Sequence, residues 1–323
     1  MLQVSTERPV SEDLEQFEKK ESQSIQSSGI KNEEEINPVS LPAFMKKTFD
    51  GRDLKVGEVL AVNESYTRYF VTYKSGDLTI SGIMNVPKGD GPFPVAILNH
   101  GYIDTAVYTN GRGLKREQDY LARNGFVVIH SDYRNHAQSD KDTDAELTLR
   151  LGYTEDVINV ILAAKNSDLS YLDTENFVML GHSMGGGVTE NILVVQPNLV
   201  KAAVLFAPVS ADYRDNFNKW TKSRTETAEK IVQKYGSFDQ SPGFWDNISP
   251  INFIDRISVP IMNHHGTDDE SVPLEWSVRF DKELTAGGKD ATLYIYEGEK
   301  HEFINQWPLV MARTVDFFQN HIQ

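Results

Sequence analysis

The chain contains no cysteine. That removes disulfides, thiolate nucleophiles and cysteine-ligated zinc together. No apolar run approaches the roughly 18 residues that a membrane-crossing helix needs. No basic stretch followed by an apolar one opens the N-terminus, so no secretion signal is read there. The expectation is a soluble chain without a transmembrane segment, either cytoplasmic or exported with its signal or anchor already removed. Basic residues are short as well. Lys and Arg number 32 against 47 Asp and Glu, a net charge of −15 in 323 residues. Phosphate binding needs clustered Lys and Arg, so a nucleic-acid partner is not expected, and an anionic membrane surface would repel the chain. No Gly-x-Gly-x-x-Gly follows a strand and no Gly-x-x-x-x-Gly-Lys-Ser/Thr occurs, which argues against a nucleotide-dependent enzyme.

What is present falls into three parts. Residues 1–40 hold four basic against nine acidic residues and little that could be buried. Such a segment cannot offset its ordering entropy, so a disordered acidic tail is expected. Residues 41–66 read as a lead-in packed on a domain that covers 67–323. Within that domain Arg68–Tyr73 and Leu78–Val86 alternate around Ser75-Gly76-Asp77, a hairpin signal. Short apolar strands follow at Pro94–Asn99, Phe126–His130, Phe177–Leu180, Val200–Phe206, Val259–His264 and Ala291–Tyr296. Helical stretches are read at about Gly113–Asn124, Glu155–Lys165, from Met184 to Gln196, and Leu309–Asn320. This alternation predicts an α/β architecture: a mostly parallel sheet of eight strands with helices on both faces and an antiparallel hairpin at one edge. The stretch at about 211–257 interrupts it after the sixth strand. Insertions at carboxyl ends of strands lie over the site in such sheets, so a small helical cap is expected, with Asp212–Tyr235 as helix.

Gly181-His182-Ser183-Met184-Gly185 sits between an apolar strand and a helix rich in small residues. A serine on that sharp turn projects its hydroxyl from the sheet, and the glycines avoid side-chain clashes. The pentapeptide alone is weak, but its strand-turn-helix context makes Ser183 the candidate nucleophile. In this arrangement the acid and then the base come later in the chain. The loop after Val259–His264 carries Asp268 and Asp269, and the loop after Ala291–Tyr296 carries His301, the candidate base. Composition does not separate the two aspartates. His264 and His265 beside them are no metal site, because successive strand residues point to opposite faces; neither a metal nor a cofactor is expected. An oxyanion needs two donors. The N–H of Met184 is one, and the N–H of Tyr102, after His100-Gly101, is the candidate for the other. The cap aromatics Tyr213, Phe217, Trp220, Phe244 and Trp245 are candidates for lining a substrate pocket.

Together these segments resemble the catalytic domain of prolyl-oligopeptidase-type serine hydrolases and the related dienelactone-hydrolase and esterase families. The resemblance runs through Asn99-His100-Gly101-Tyr102, Asp132-Tyr133-Arg134, Gly181–Gly187, Ser249-Pro250, Ser258-Val259-Pro260, His265–Pro273 and His301-Glu302-Phe303, and covers about four fifths of the chain. It implies the α/β-hydrolase fold. It implies Asp269, three residues after Gly266 and three before Val272, as the acid. It also implies hydrolysis of a small-molecule ester or a short peptide through an acyl-enzyme. Where relatives read Asp-x-Arg-Gly-x-Gly-x-Ser, this chain has Asn135 for the first glycine, which tolerates a left-handed turn. Sixty-six mostly polar N-terminal residues are too few for the propeller that gates the oligopeptidases. The resemblance therefore implies a free-standing esterase at least as much as a peptidase.

Overall fold

The computed structural model describes residues 36–322. Most of the expected acidic tail at 1–40 lies outside the described residues. The described chain opens with a short helix, α1 (Leu41–Lys46), capped by the Ser40 hydroxyl, which accepts from the Ala43 N–H at 3.2 Å. The sheet follows: β1 (Arg52–Val62), β2 (Tyr66–Ser75), β3 (Leu78–Pro87), β4 (Phe93–Asn99), β5 (Val127–Ser131), β6 (Leu172–His182), β7 (Ala202–Phe206), β8 (Ile261–Gly266) and β9 (Ala291–Tyr296). The helices between them are α2 (Lys115–Arg123), α3 (Leu151–Lys165), α4 (Met184–Val195), α5 (Tyr213–Asn216), α6 (Thr225–Tyr235), α7 (Pro242–Asn247), α8 (Leu274–Ala286) and α9 (Trp307–His321).

The strands lie in the order β1-β2-β3-β5-β4-β6-β7-β8-β9. The first three and the β3–β5 junction pair antiparallel, and the rest are parallel. The expected eight strands are therefore nine. The additional one is β1, inside the segment read as a lead-in. Its residues are almost all exposed, and its pairing with β2 is broken by three register shifts. Charged side chains and bulges are how an edge strand avoids pairing with another chain, and they erase the alternation that marks a strand in the sequence. Helix α8 was also not expected. Only Ser277, Phe280 and Leu284 of its 13 residues are buried, too narrow an apolar stripe to stand out.

The central strands are apolar along their whole length because both faces are covered. In β4, Val95 and Ile97 join the core on one face, whereas Ala96 and Leu98 join the core on the other. Each such side chain contributes about 1.5–3 kcal/mol relative to exposure. The cap after β7 has its own small core of Phe217, Ile231, Tyr235, Trp245 and Ile248, together with Leu149 from the body. The helix expected over Asp212–Tyr235 is broken into α5, a π-helical turn at Phe217–Thr221, and α6. These pieces follow the need to bury Phe217 rather than one continuous helical stripe.

Candidate active site

Strand β6 runs straight into α4, and Ser183 is the residue between them. Its backbone sits at φ +56°, ψ −121°, a region costing a non-glycine residue about 1–3 kcal/mol. The surroundings hold it there. Its N–H donates to the Phe206 carbonyl at 2.9 Å, and its carbonyl accepts from Gly186 at 2.9 Å and Val209 at 3.1 Å. Close packing explains two of the glycines. A Cβ on Gly185 would lie 2.0 Å from the Asn99 carbonyl oxygen, and one on Gly101 would lie 3.1 Å from the Ser183 Cβ. The loop after β4, which carries Tyr102, is thus pressed against the serine turn. Both Tyr102 and Met184 line the cavity that contains Ser183. The first N–H groups of a helix have no intrahelical partner, so the Met184 N–H at the start of α4 is suited to receive negative charge.

The loops after β8 and β9 meet beside this turn. His301 Nδ1 lies 2.8 Å from Asp269 Oδ2. The other oxygen of Asp269 accepts from the Ser271 and Val272 N–H groups, each at 2.8 Å. His265 Nε2 is 3.2 Å from Asp269 Oδ2, and its Nδ1 is 2.7 Å from the Ser277 hydroxyl. Burial works to raise the Asp269 pKa, but the hydrogen bonds from His265 and His301 and from the backbone outweigh it and hold the carboxyl well below the usual range. A carboxylate so placed keeps the proton of neutral His301 on Nδ1, and Nε2 is then the nitrogen that can take a proton from Ser183. His182 packs against His301 with ring centres 4.6 Å apart, the rings tilted by 38°, and bonds the His301 carbonyl through Nε2 at 3.1 Å. Burial first, and the neighbouring His301 second, lower the His182 pKa to about 4. It is therefore neutral, and its Nε2–H is the donor. The Asp268 carboxylate instead accepts from the Thr267 hydroxyl at 3.2 Å, in an exposed position. His264 turns away from His265 and bonds the Tyr296 hydroxyl.

Ser183, His301, Tyr102 and Met184 all border one cavity of about 540 Å³. Of the cap aromatics, Tyr213 and Trp220 line it. Phe217, Phe244 and Trp245 do not, and pack together within the cap instead. There they join Ile231, Tyr235 and Ile248 in the core of the cap. The sequence reading missed the polar part of the wall. Glu146 holds Arg150 through Oε1, at 2.6 and 2.8 Å, and Arg224 through Oε2 at 2.7 Å. The Arg150 guanidinium lies over the Tyr102 ring, 5.0 Å from its centre, and 3.4 Å from the Met184 sulfur. It was also silent on His265 as support for Asp269, and on Glu190 in the same wall. Nothing in the spacing of these residues marks them.

Residues 112–323 match the prolyl oligopeptidase family, and with them more than half of the chain. The chain belongs to that family. Among curated relatives, esterase EstD of Thermotoga maritima is 22% identical over 72% of this chain and 61% of its own length, so the chain spans less than two thirds of that relative. Among solved structures, an acylaminoacyl peptidase of Pyrococcus horikoshii superposes with a TM-score of 0.66 at 21% identity, covering 80% of this chain and 42% of that one. Acetyl xylan esterase 1 of a Thermoanaerobacterium species gives 0.64 at 16% identity, covering 86% and 92%. At such identities the structural likeness speaks for the fold alone, the α/β-hydrolase fold. No helix among the described residues is long and apolar enough to cross a membrane.

Proposed function

We propose that the chain is a serine hydrolase of carboxylic esters that works through an acyl-enzyme on Ser183. The observation that carries this reading is the 2.8 Å contact between His301 Nδ1 and Asp269 Oδ2, beside a serine on a strained strand-to-helix turn in the same cavity. His301 Nε2 takes the hydroxyl proton as Ser183 Oγ attacks the ester carbonyl. The oxyanion is received by the N–H groups of Met184 and Tyr102, with the N-terminus of α4 behind them. His301 then returns the proton to the departing alcohol, and water repeats the sequence to release the acid. The cap-covered cavity and the esterase names among the relatives favour an ester of a small molecule. Family membership supports a second reading, short peptide amides cleaved by the same groups.

Labelling by a fluorophosphonate, together with turnover of p-nitrophenyl butyrate and of a dipeptidyl p-nitroanilide, tests both. Ser183→Ala is expected to lose the label and to lower turnover by about 10⁶. A labelled variant, or one that keeps a few per cent of wild-type activity, would overturn the nucleophile. Faster cleavage of the anilide than of the ester would favour the peptidase reading.

A further inference from the structure

One group in the cavity wall has no part in the proposed chemistry. Glu190 lies on α4 seven residues beyond Ser183, about 10 Å along the helix axis, and lines the cavity with Gly187 and Asn191. It is 1% exposed, and neither of its carboxyl oxygens has a hydrogen-bond partner among the described residues. The residues that follow it on α4, Ile192 to Val195, are aliphatic and buried. An aliphatic side chain at 190 would continue that pattern. A carboxyl there, withdrawn from water with nothing to bond, costs about 1–3 kcal/mol. A buried polar group left unpaired calls for an explanation, and a partner that is not part of the chain is one; of the buried groups left unpaired among the described residues, Glu190 is one that faces the cavity.

The chemistry of that ligand follows from the surroundings. Burial pushes the Glu190 pKa well up and so favours the neutral acid, which has one O–H to give and one carbonyl oxygen to accept. Arg150 and Arg224 border the same cavity and share one carboxylate, Glu146, between them. Glu302 lines the wall as well, so two arginines face two carboxylates, and no net charge there calls for a charged ligand. The complement is an uncharged group that both donates and accepts. We infer that Glu190 is the recognition residue of a subsite for a neutral hydroxyl on the substrate, about two helical turns from the scissile carbonyl. The inference rests on the hydrolase reading above and deepens it. It also accounts for the misplaced carboxyl: its unpaired state is the cost of discriminating between hydroxylated and plain chains.

The test uses two matched pairs of esters. In the first the hydroxyl is on the acyl side (p-nitrophenyl ω-hydroxyoctanoate against p-nitrophenyl nonanoate). In the second it is on the alcohol side (octanediol monoacetate against nonyl acetate). Wild-type enzyme is expected to prefer the hydroxylated member of one pair by about tenfold or more in kcat/KM, since a site built to bond a hydroxyl rejects an analogue without it. Glu190→Leu should bring that ratio to about one while melting no lower than wild type, because an unpaired polar group has been replaced by an apolar one. Glu190→Gln, which also donates and accepts, should keep most of the preference. Equal rates within both wild-type pairs overturn the inference and leave the hydrolase reading standing. A preference that survives in Glu190→Leu overturns it too, as does a large fall in melting temperature with the ratio unchanged, which would make Glu190 a structural residue. No cleavage of any ester by wild type overturns the hydrolase reading first.

Discussion

Changing Asp269 to Asn removes one negative charge and leaves the side-chain shape almost intact. In the native site Oδ1 is fixed by two backbone N–H groups at 2.8 Å, and an amide oxygen can hold that place. The amide nitrogen then occupies the position of Oδ2 and faces His301 Nδ1, which needs an acceptor there, and His265 Nε2, which also lies 3.1 Å from the Val272 carbonyl oxygen. His301 escapes the donor-to-donor clash by moving its proton to Nε2, and an imidazole in that tautomer cannot accept the Ser183 proton. In a comparable triad the substitution costs about 10⁴ in turnover, or about 5.5 kcal/mol in the barrier. Asp268→Asn disturbs only an exposed contact to Thr267. It should change turnover by less than about threefold, as exposed loop substitutions stay within about 0.5 kcal/mol. Steady-state turnover of p-nitrophenyl butyrate by the two purified variants separates the outcomes, with circular dichroism confirming that both are folded. If Asp269→Asn kept a tenth of the wild-type rate, the tautomer argument would fail. The reverse ranking would move the acid to Asp268.

Three further outcomes follow from the packing. Gly185→Ala places a methyl group 2.0 Å from the Asn99 carbonyl oxygen and must part the serine turn from the Tyr102 loop. A displacement of about 1 Å there should cost on the order of 10² in turnover, and a variant with normal kcat would contradict the close approach. Arg134→Met strips the partner from Asp156, which is fully buried and bonded at 2.8 Å to Arg134 Nη2. Denaturant titration should show a loss of about 3–5 kcal/mol, and a loss under about 1 kcal/mol would mean that the pair is not isolated from water. Glu190 gives a pH signature. Burial raises its folded-state pKa above the ordinary value of 4.5, so its stability contribution is full below that value and is lost as pH rises towards the folded pKa. Glu190→Gln lacks that loss, so the melting temperature of the variant minus that of wild type should grow between about pH 4 and about pH 8. A flat or shrinking difference would show that the carboxyl is not buried unpaired.

Much of the architecture was legible because two periods run through the sequence. Hairpin β2–β3 turns at Gly76-Asp77 as the alternation requires, and the parallel strands announce themselves as short apolar runs. The order of Ser183, the aspartate pair and His301 along those strand ends is a one-dimensional pattern, so sequence alone could single out the loops that bring His301 and Asp269 to 2.8 Å. It could not choose between Asp268 and Asp269 from composition, since that depends on which side chain of one loop points at another loop 32 residues later.

What only the tertiary structure decided shares one physical cause: contacts between residues whose partners lie far away in the chain. Strand β1 exists by pairing with β2, although most of its residues are exposed. The cap aromatics divide between the cavity, with Tyr213 and Trp220, and the cap core, with Phe217, Phe244 and Trp245. Glu146 joins an arginine of the body to one of the cap, His265 supports Asp269 from the preceding strand, and Glu190 stands in the wall with no hydrogen-bond partner among the described residues. Sequence periodicity reports which face of an element is buried. It carries no information about what a buried polar group will meet there.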